Sequence, residues 1–240
     1  MKGMIILTIK EIIATSDYAF SSLLPSPDDF SCFEKIIHEV ISLYEEYFGV
    51  HPKYFELIND YSNNEYPMTV RSASKIYVHC PIFYLPQFIY QFTHELCHWM
   101  IPGNVVPNLR WFEESIAIAS SWFFSEKITT YDADTISAYM HQTKVPDASL
   151  NTSELFVEGS SLIQDLENNR NNFTDYPKYS CIASLMLPLI KKNPLFWHSV
   201  PKLCDVPEGL SFQKSLGYWK GLLPSTEVSD AFSQVIRSLQ

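Results

Sequence analysis

Two histidines four residues apart, with a glutamate beside the first, are the residues of this sequence best suited to do chemistry: His94-Glu95-Leu96-Cys97-His98. Four residues is close to one helical turn, so on a helix the two imidazoles share a face. Their nitrogens can then converge on one tetrahedral Zn2+. Glu95 lies about 100° round the helix from His94, where it can reach a water beside the metal without binding the metal itself. The flanking residues fit that orientation. On a helical wheel Ile89, Phe92, Leu96 and Met100 cluster opposite His94 and His98. One face is therefore expected in the core, while the other presents its histidines outward to a cleft. Cys97 is expected to be a small buried filler.

A catalytic zinc takes three protein ligands and keeps a fourth position open. The metzincin spacing, with a third histidine six residues on and a glycine between, is excluded, because Ile101 and Asn104 stand at those positions. The next stretch, Trp111-Phe112-Glu113-Glu114-Ser115-Ile116-Ala117, offers two adjacent carboxylates. HELCH together with WFEESIA resembles the gluzincin zinc metallopeptidases, the thermolysin and aminopeptidase group, in which a W-x-x-E-[GS]-x-A helix gives the third ligand. The resemblance implies Glu114 as that ligand, with Glu113 on the same turn as the alternative. Thermolysin carries an acid four residues after its ligand glutamate to hold a histidine. Ile118 stands there in this chain, so the groups behind the ligands are expected to differ.

A second segment, Tyr176-Pro177-Lys178-Tyr179 through Met186, is similar to the Y-E-K-G segment of gluzincin aminopeptidases, with Tyr179 in place of the glycine. It implies Tyr176 as donor to the oxyanion that develops during hydrolysis; Tyr179, Tyr139 and His141 are the alternatives. The G-x-M-E-N signature that anchors a free amino terminus is missing, and Tyr66-Pro67-Met68-Thr69 is what the upstream region offers. Exopeptidase action is therefore not implied. In the family the strand before the HExxH helix pairs with an extended substrate. Lys75 to Cys80 occupies that position, and strand addition would suit a peptide.

These groups need elements to position them. From Asp29 to Phe48, apolar residues at 33, 36, 37, 40, 41, 44 and 48 form a helical stripe closed by Gly49. Met4 to Ile13, Tyr54 to Ile58 and Lys75 to Cys80 have the composition of strands. Ser26 to Asp29 supplies turn residues, and Asp60 to Glu65 is a polar loop. Pro86 suits the first turn of the HExxH helix, and Pro102-Gly103 stops that helix near Met100. A second helix fits Leu109 to about Ser125, and Trp122-Phe123-Phe124 is expected in the core. Asp132 and Asp134 suit the cap of a following helix. Further helical stretches are Leu150 to Asn168, Tyr179 to Lys192 and Val228 to Leu239. The expected fold is α+β: a small mixed N-terminal sheet with helices over residues 1–126, carrying HExxH and the third-ligand helix in a zincin-like arrangement, and a helical part over 127–240 that closes the cleft.

Composition narrows the partners. The 240 residues carry a net charge of -10 with no basic block, so nucleic acid is an unfavourable partner. No GxGxxG or GxxxxGK[ST] occurs, and no apolar run approaches the length of a membrane span. Five scattered cysteines without a CxxC pair suggest reduced thiols in a cytoplasmic protein. Lys10 and Glu11 interrupt the N-terminal apolar run too early for a signal peptide. The sequons at Asn151 and Asn172 therefore have no evident use. The expected activity is a zinc-dependent metallopeptidase, an endopeptidase by its missing exopeptidase signature, with one Zn2+ per chain held by His94, His98 and Glu114. Glu95 is the general base, and the partner is a peptide or protein substrate, with room for a regulatory protein. The alternatives are a gluzincin-fold interaction module without turnover and a toxin or effector protease with a single target.

Overall fold

The computed structural model describes residues 10–22, 30–61, 66–81, 84–144, 161–168 and 176–237. The expected turn at Ser26 to Asp29, both sequons and most of the loop before Glu65 lie outside these residues, as do the first residues of the Met4 strand and Leu150 to Ser160 of the expected helix.

A five-stranded mixed sheet lies at the N-terminal side, in the order β1 (Lys10–Ala14), β2 (Tyr18–Ser22), β3 (Phe55–Asn59), β5 (Lys75–Val78), β4 (Met68–Val70). β1 and β2 form an antiparallel pair, β2–β3 and β3–β5 are parallel, and β4 pairs antiparallel to β5. The parallel β2–β3 pair needs a long crossover, and helix α1 (Phe30–Phe48) supplies it. Strand alternation sends Phe20, Phe55, Leu57, Ile76 and Val78 into the core. There Phe20 packs against Phe33 of α1 and Phe88 of α2 (Leu85–Met100), and Phe55 packs against Phe92 of α2.

This topology corrects one expectation. The strand before the HExxH helix, β5, is interior and hydrogen-bonded on both sides. The edge next to it is β4, a three-residue strand too short to stand out by alternation.

The remainder is helical. α3 (Arg110–Ser125) packs along α2, and α4 (Ala133–Thr143), α5 (Ser161–Asn168) and α6 (Tyr176–Lys192) follow. A long 3-10 segment at Pro194–Asp205 leads into α7 (Phe212–Gly221) and α8 (Thr226–Arg237). Asp132 caps α4 as expected, its carboxylate accepting from the Thr135 N–H at 2.8 Å. One apolar cluster runs from Tyr18 to Ile236. Trp197 of the 3-10 segment joins it by packing against Phe48, Phe123 and Phe124. The fold is thus α+β and predominantly helical. No helix among the described residues is long and apolar enough to cross a membrane, and no disulfide joins the described cysteines.

Candidate metal centre

α2 and α3 carry the candidate ligands, and both are buried on nearly every side. The wheel set the α2 histidines on a face turned to a cleft; both line one, and α3 covers part of that face as well. His98 is 8% exposed and faces α3. The wheel could not show α3 closing over that side, because its own apolar residues surround its carboxylates. Small and hydroxylated residues let α3 approach closely. Ser115 bonds the Trp111 carbonyl at 2.9 Å, and Ser120 and Ser121 bond that of Ala117 at 2.8 and 3.1 Å, so their hydroxyls are satisfied within the helix. Behind α2, fully buried Tyr44 of α1 donates to the Thr93 carbonyl and lies 3.1 Å from Ser120 Oγ. That contact ties three helices together one residue before His94.

His94, His98 and Glu114 come together. The two Nε2 atoms are 3.2 Å apart; Glu114 Oε2 lies 3.3 Å from His94 Nε2, and Oε1 lies 3.5 Å from His98 Nε2. Tetrahedral coordination with bonds of about 2.0–2.1 Å places ligand atoms about 3.3 Å apart. Among the described residues this is the one group of three His, Cys, Asp or Glu with ligand atoms close enough to share an ion. Two neutral imidazoles and a carboxylate are the donor set of many catalytic zinc sites, so the residues present fit a zinc ion. The same groups are ion-paired with one another. Burial opposes charge on Glu114, but His98 beside it holds its carboxyl well below the usual carboxylate range. Burial likewise opposes charge on His98, but Glu114 and Glu113 outweigh it and raise its pKa well above the ordinary histidine value.

Glu113, the alternative ligand, faces the other side of His98. Its Oε1 accepts from Nδ1 at 2.8 Å and from Arg71 Nη2 at 3.2 Å. Ile118, at the position of the thermolysin acid, is fully buried; the acid that reaches a histidine is Glu113. Arg71 follows β4 in a 3-10 turn, and its guanidinium also donates to the carbonyls of His98 and Ile101. It thereby adds donors at the end of α2, where the His98 carbonyl also accepts from the Ile101 N–H at 3.2 Å.

Glu95 is 4% exposed. Thr69 Oγ of β4 lies 2.9 Å from both Glu95 Oε2 and the Glu95 carbonyl. Burial raises the Glu95 carboxyl above the usual range, against the pull of His94 and His98.

The cluster forms the floor of a cleft of about 730 Å³. Tyr66, Pro67 and Met68, leading into and along β4, make one wall, and Tyr139, Tyr176 and Tyr179 make another. The Tyr176 hydroxyl is hydrogen-bonded to that of Tyr90 on α2. Burial raises the pKa of both phenols. Of the alternative oxyanion donors, Tyr139 and Tyr179 line the cleft, whereas His141 is exposed on α4 and takes no part in the lining. Cys97, on α2, is buried and absent from the cleft, with burial pushing its thiol up to about 12.

Sequence reasoning did not find Thr69, Arg71 or Tyr90. The first two lie over twenty residues upstream of the histidines, and only the β5–β4 pairing brings them to α2. Tyr90 carried a signal: it precedes His94 by four residues and so shares the histidine face. The chain matches no protein-family model, and no curated protein shows significant similarity to it.

Proposed function

We propose that this chain is a zinc-dependent peptidase in which His94, His98 and Glu114 hold one zinc ion and Glu95 moves the proton. The observation that carries this reading is two imidazole Nε2 atoms and the Glu114 carboxylate gathered within 3.2–3.5 Å contacts, with the Glu95 carboxylate on the same helix, at the floor of a cleft beside a sheet edge.

When bound, zinc supplies a Lewis acid for the scissile carbonyl and lowers the pKa of water toward neutrality. The chain's own groups do the rest. Thr69 holds the Glu95 carboxyl by its Oε2, leaving Oε1 to take a proton from the attacking water and pass it to the leaving amine. Edge strand β4, rather than β5, offers open backbone groups to an extended peptide, which supports a peptide over a compact substrate. Tyr90 is buried with Tyr176 as its partner. With Tyr90 as donor in that bond, the Tyr176 O–H is left for the oxyanion.

The test is digestion of a proteome-derived peptide library by the zinc-loaded protein, read by mass spectrometry, beside Glu95→Gln. The reading expects new termini from the parent and none from a variant that still holds zinc. Equal cleavage by the two overturns it. A parent that leaves the library untouched is tried on folded proteins; cleavage of one is the single-target form of the reading, and only cleavage of neither counts as the untouched result that overturns it.

A further inference from the structure

The two imidazoles of the cluster are held unequally. His94 Nδ1 is buried and has no hydrogen-bond partner among the described residues. His98 Nδ1 meets Glu113 at 2.8 Å, and Glu113 in turn meets Arg71. A neutral imidazole carries one proton, and the nitrogen that keeps it is set by the hydrogen bond that proton makes. A carboxylate at Nδ1 keeps the proton there and directs the Nε2 lone pair to the opposite side of the ring. That side faces His94 Nε2 and Glu114.

Arg71 adds two constraints. It offsets the charge of Glu113, whose side chain is only 10% exposed; a lone carboxylate there would be costly. It also grips the carbonyls of His98 and Ile101, so one guanidinium fixes both the backbone of His98 and the side chain that orients its ring.

We infer that Glu113, braced by Arg71, is a positioning residue that fixes the His98 imidazole for metal binding. This rests on the zinc site proposed above. Carboxylates in this role typically contribute 10- to 100-fold to metal affinity.

The experiment measures Zn2+ affinity by competition with a chromophoric chelator, and the visible spectrum of the Co2+ form, for the parent, Glu113→Gln and Glu113→Ala. Thermal unfolding of each metal-free protein is followed alongside. Glu113→Ala is expected to lose about 10- to 100-fold in affinity and to shift the Co2+ bands. Glu113→Gln, whose amide oxygen still accepts from Nδ1, loses less and serves if the alanine variant does not fold. Affinities within twofold of the parent and an unchanged Co2+ spectrum overturn the inference, even where the metal-free variants melt lower, because lower melting alone is what a merely structural role gives. A parent that binds neither ion overturns the zinc site itself, and does so in the parent arm alone.

Discussion

Glu114→Gln separates a metal ligand from a structural ion pair, because the structure sets two different magnitudes for the two roles. The Glu114 side chain is 41% exposed, its ion-pair contacts among the described residues are with His94 and His98, and His98 keeps Glu113 as a partner when Glu114 is lost. Losing a pair that solvent reaches costs about 1 kcal/mol or less. For 240 residues, an unfolding entropy of about 2.1 cal/mol/K per residue gives about 0.5 kcal/mol/K, or about 2 °C of melting temperature per kcal/mol. The metal-free variant should therefore melt within about 2 °C of the metal-free parent. Zinc acts on another scale. At free zinc about 1,000 times the dissociation constant, binding stabilises the parent by about 4.1 kcal/mol, or about 8 °C. A variant that binds about 1,000-fold more weakly would gain only about 0.4 kcal/mol at that concentration, under about 1 °C. The assay is a thermal melt of both proteins in chelator and in buffered zinc. An equal zinc-induced shift in parent and variant would refute the assignment of Glu114 as a ligand.

Other consequences are independent of that experiment. Thr69→Val removes the hydroxyl at 2.9 Å from Glu95 Oε2; a hydrogen bond to a charged group contributes about 1.5–3 kcal/mol. Turnover should fall about 10- to 100-fold at unchanged zinc content, and unchanged turnover would remove Thr69 from the account. Zinc uptake should release a proton, because Glu114 and Glu113, against the effect of burial, raise His98 well above its ordinary value. Below that raised value the metal-free imidazole is protonated, so affinity weakens as pH falls, by about tenfold per pH unit for one proton. Calorimetry in buffers of different ionisation enthalpy reads the release directly, and a buffer-independent heat at neutral pH contradicts it. Gly49→Ala places a Cβ at φ +70, 2.8 Å from His198 Cε1. It should cost about 2 kcal/mol and lower the melting temperature by about 4 °C; an unchanged melt would mean that the end of α1 shifts freely.

The helices that hold the site were legible where burial is one-sided. The stripe of α1 predicted a helix from Asp29 to Phe48, and the helix runs Phe30–Phe48. Pro86 and the Pro102-Gly103 pair bracketed Leu85–Met100, and Arg110–Ser125 matches the expected helix from Leu109. α6 begins at Tyr176, three residues before the expected start at Tyr179, since Pro177 fits a first helical turn. Strands β2 and β4 went unseen: β2 is buried at four of its five positions and so shows no alternation, and β4 has three residues. The 3-10 segment and α7 were also missed, the former because Pro194 and Pro201 look like breakers. In the site, local spacing gave HExxH and motif resemblance gave Glu114. The choice between Glu113 and Glu114 could not come from spacing, because adjacent residues on one turn differ only in what faces them. His98 stands between the two, with Glu113 at Nδ1 and Glu114 at Nε2.

The most direct test of the central claim is the zinc content of the purified protein, by elemental analysis, with His94→Ala beside it. The account predicts about one zinc per chain in the parent, lost in the variant. No zinc in the parent even after reconstitution, or equal zinc in both, would contradict it.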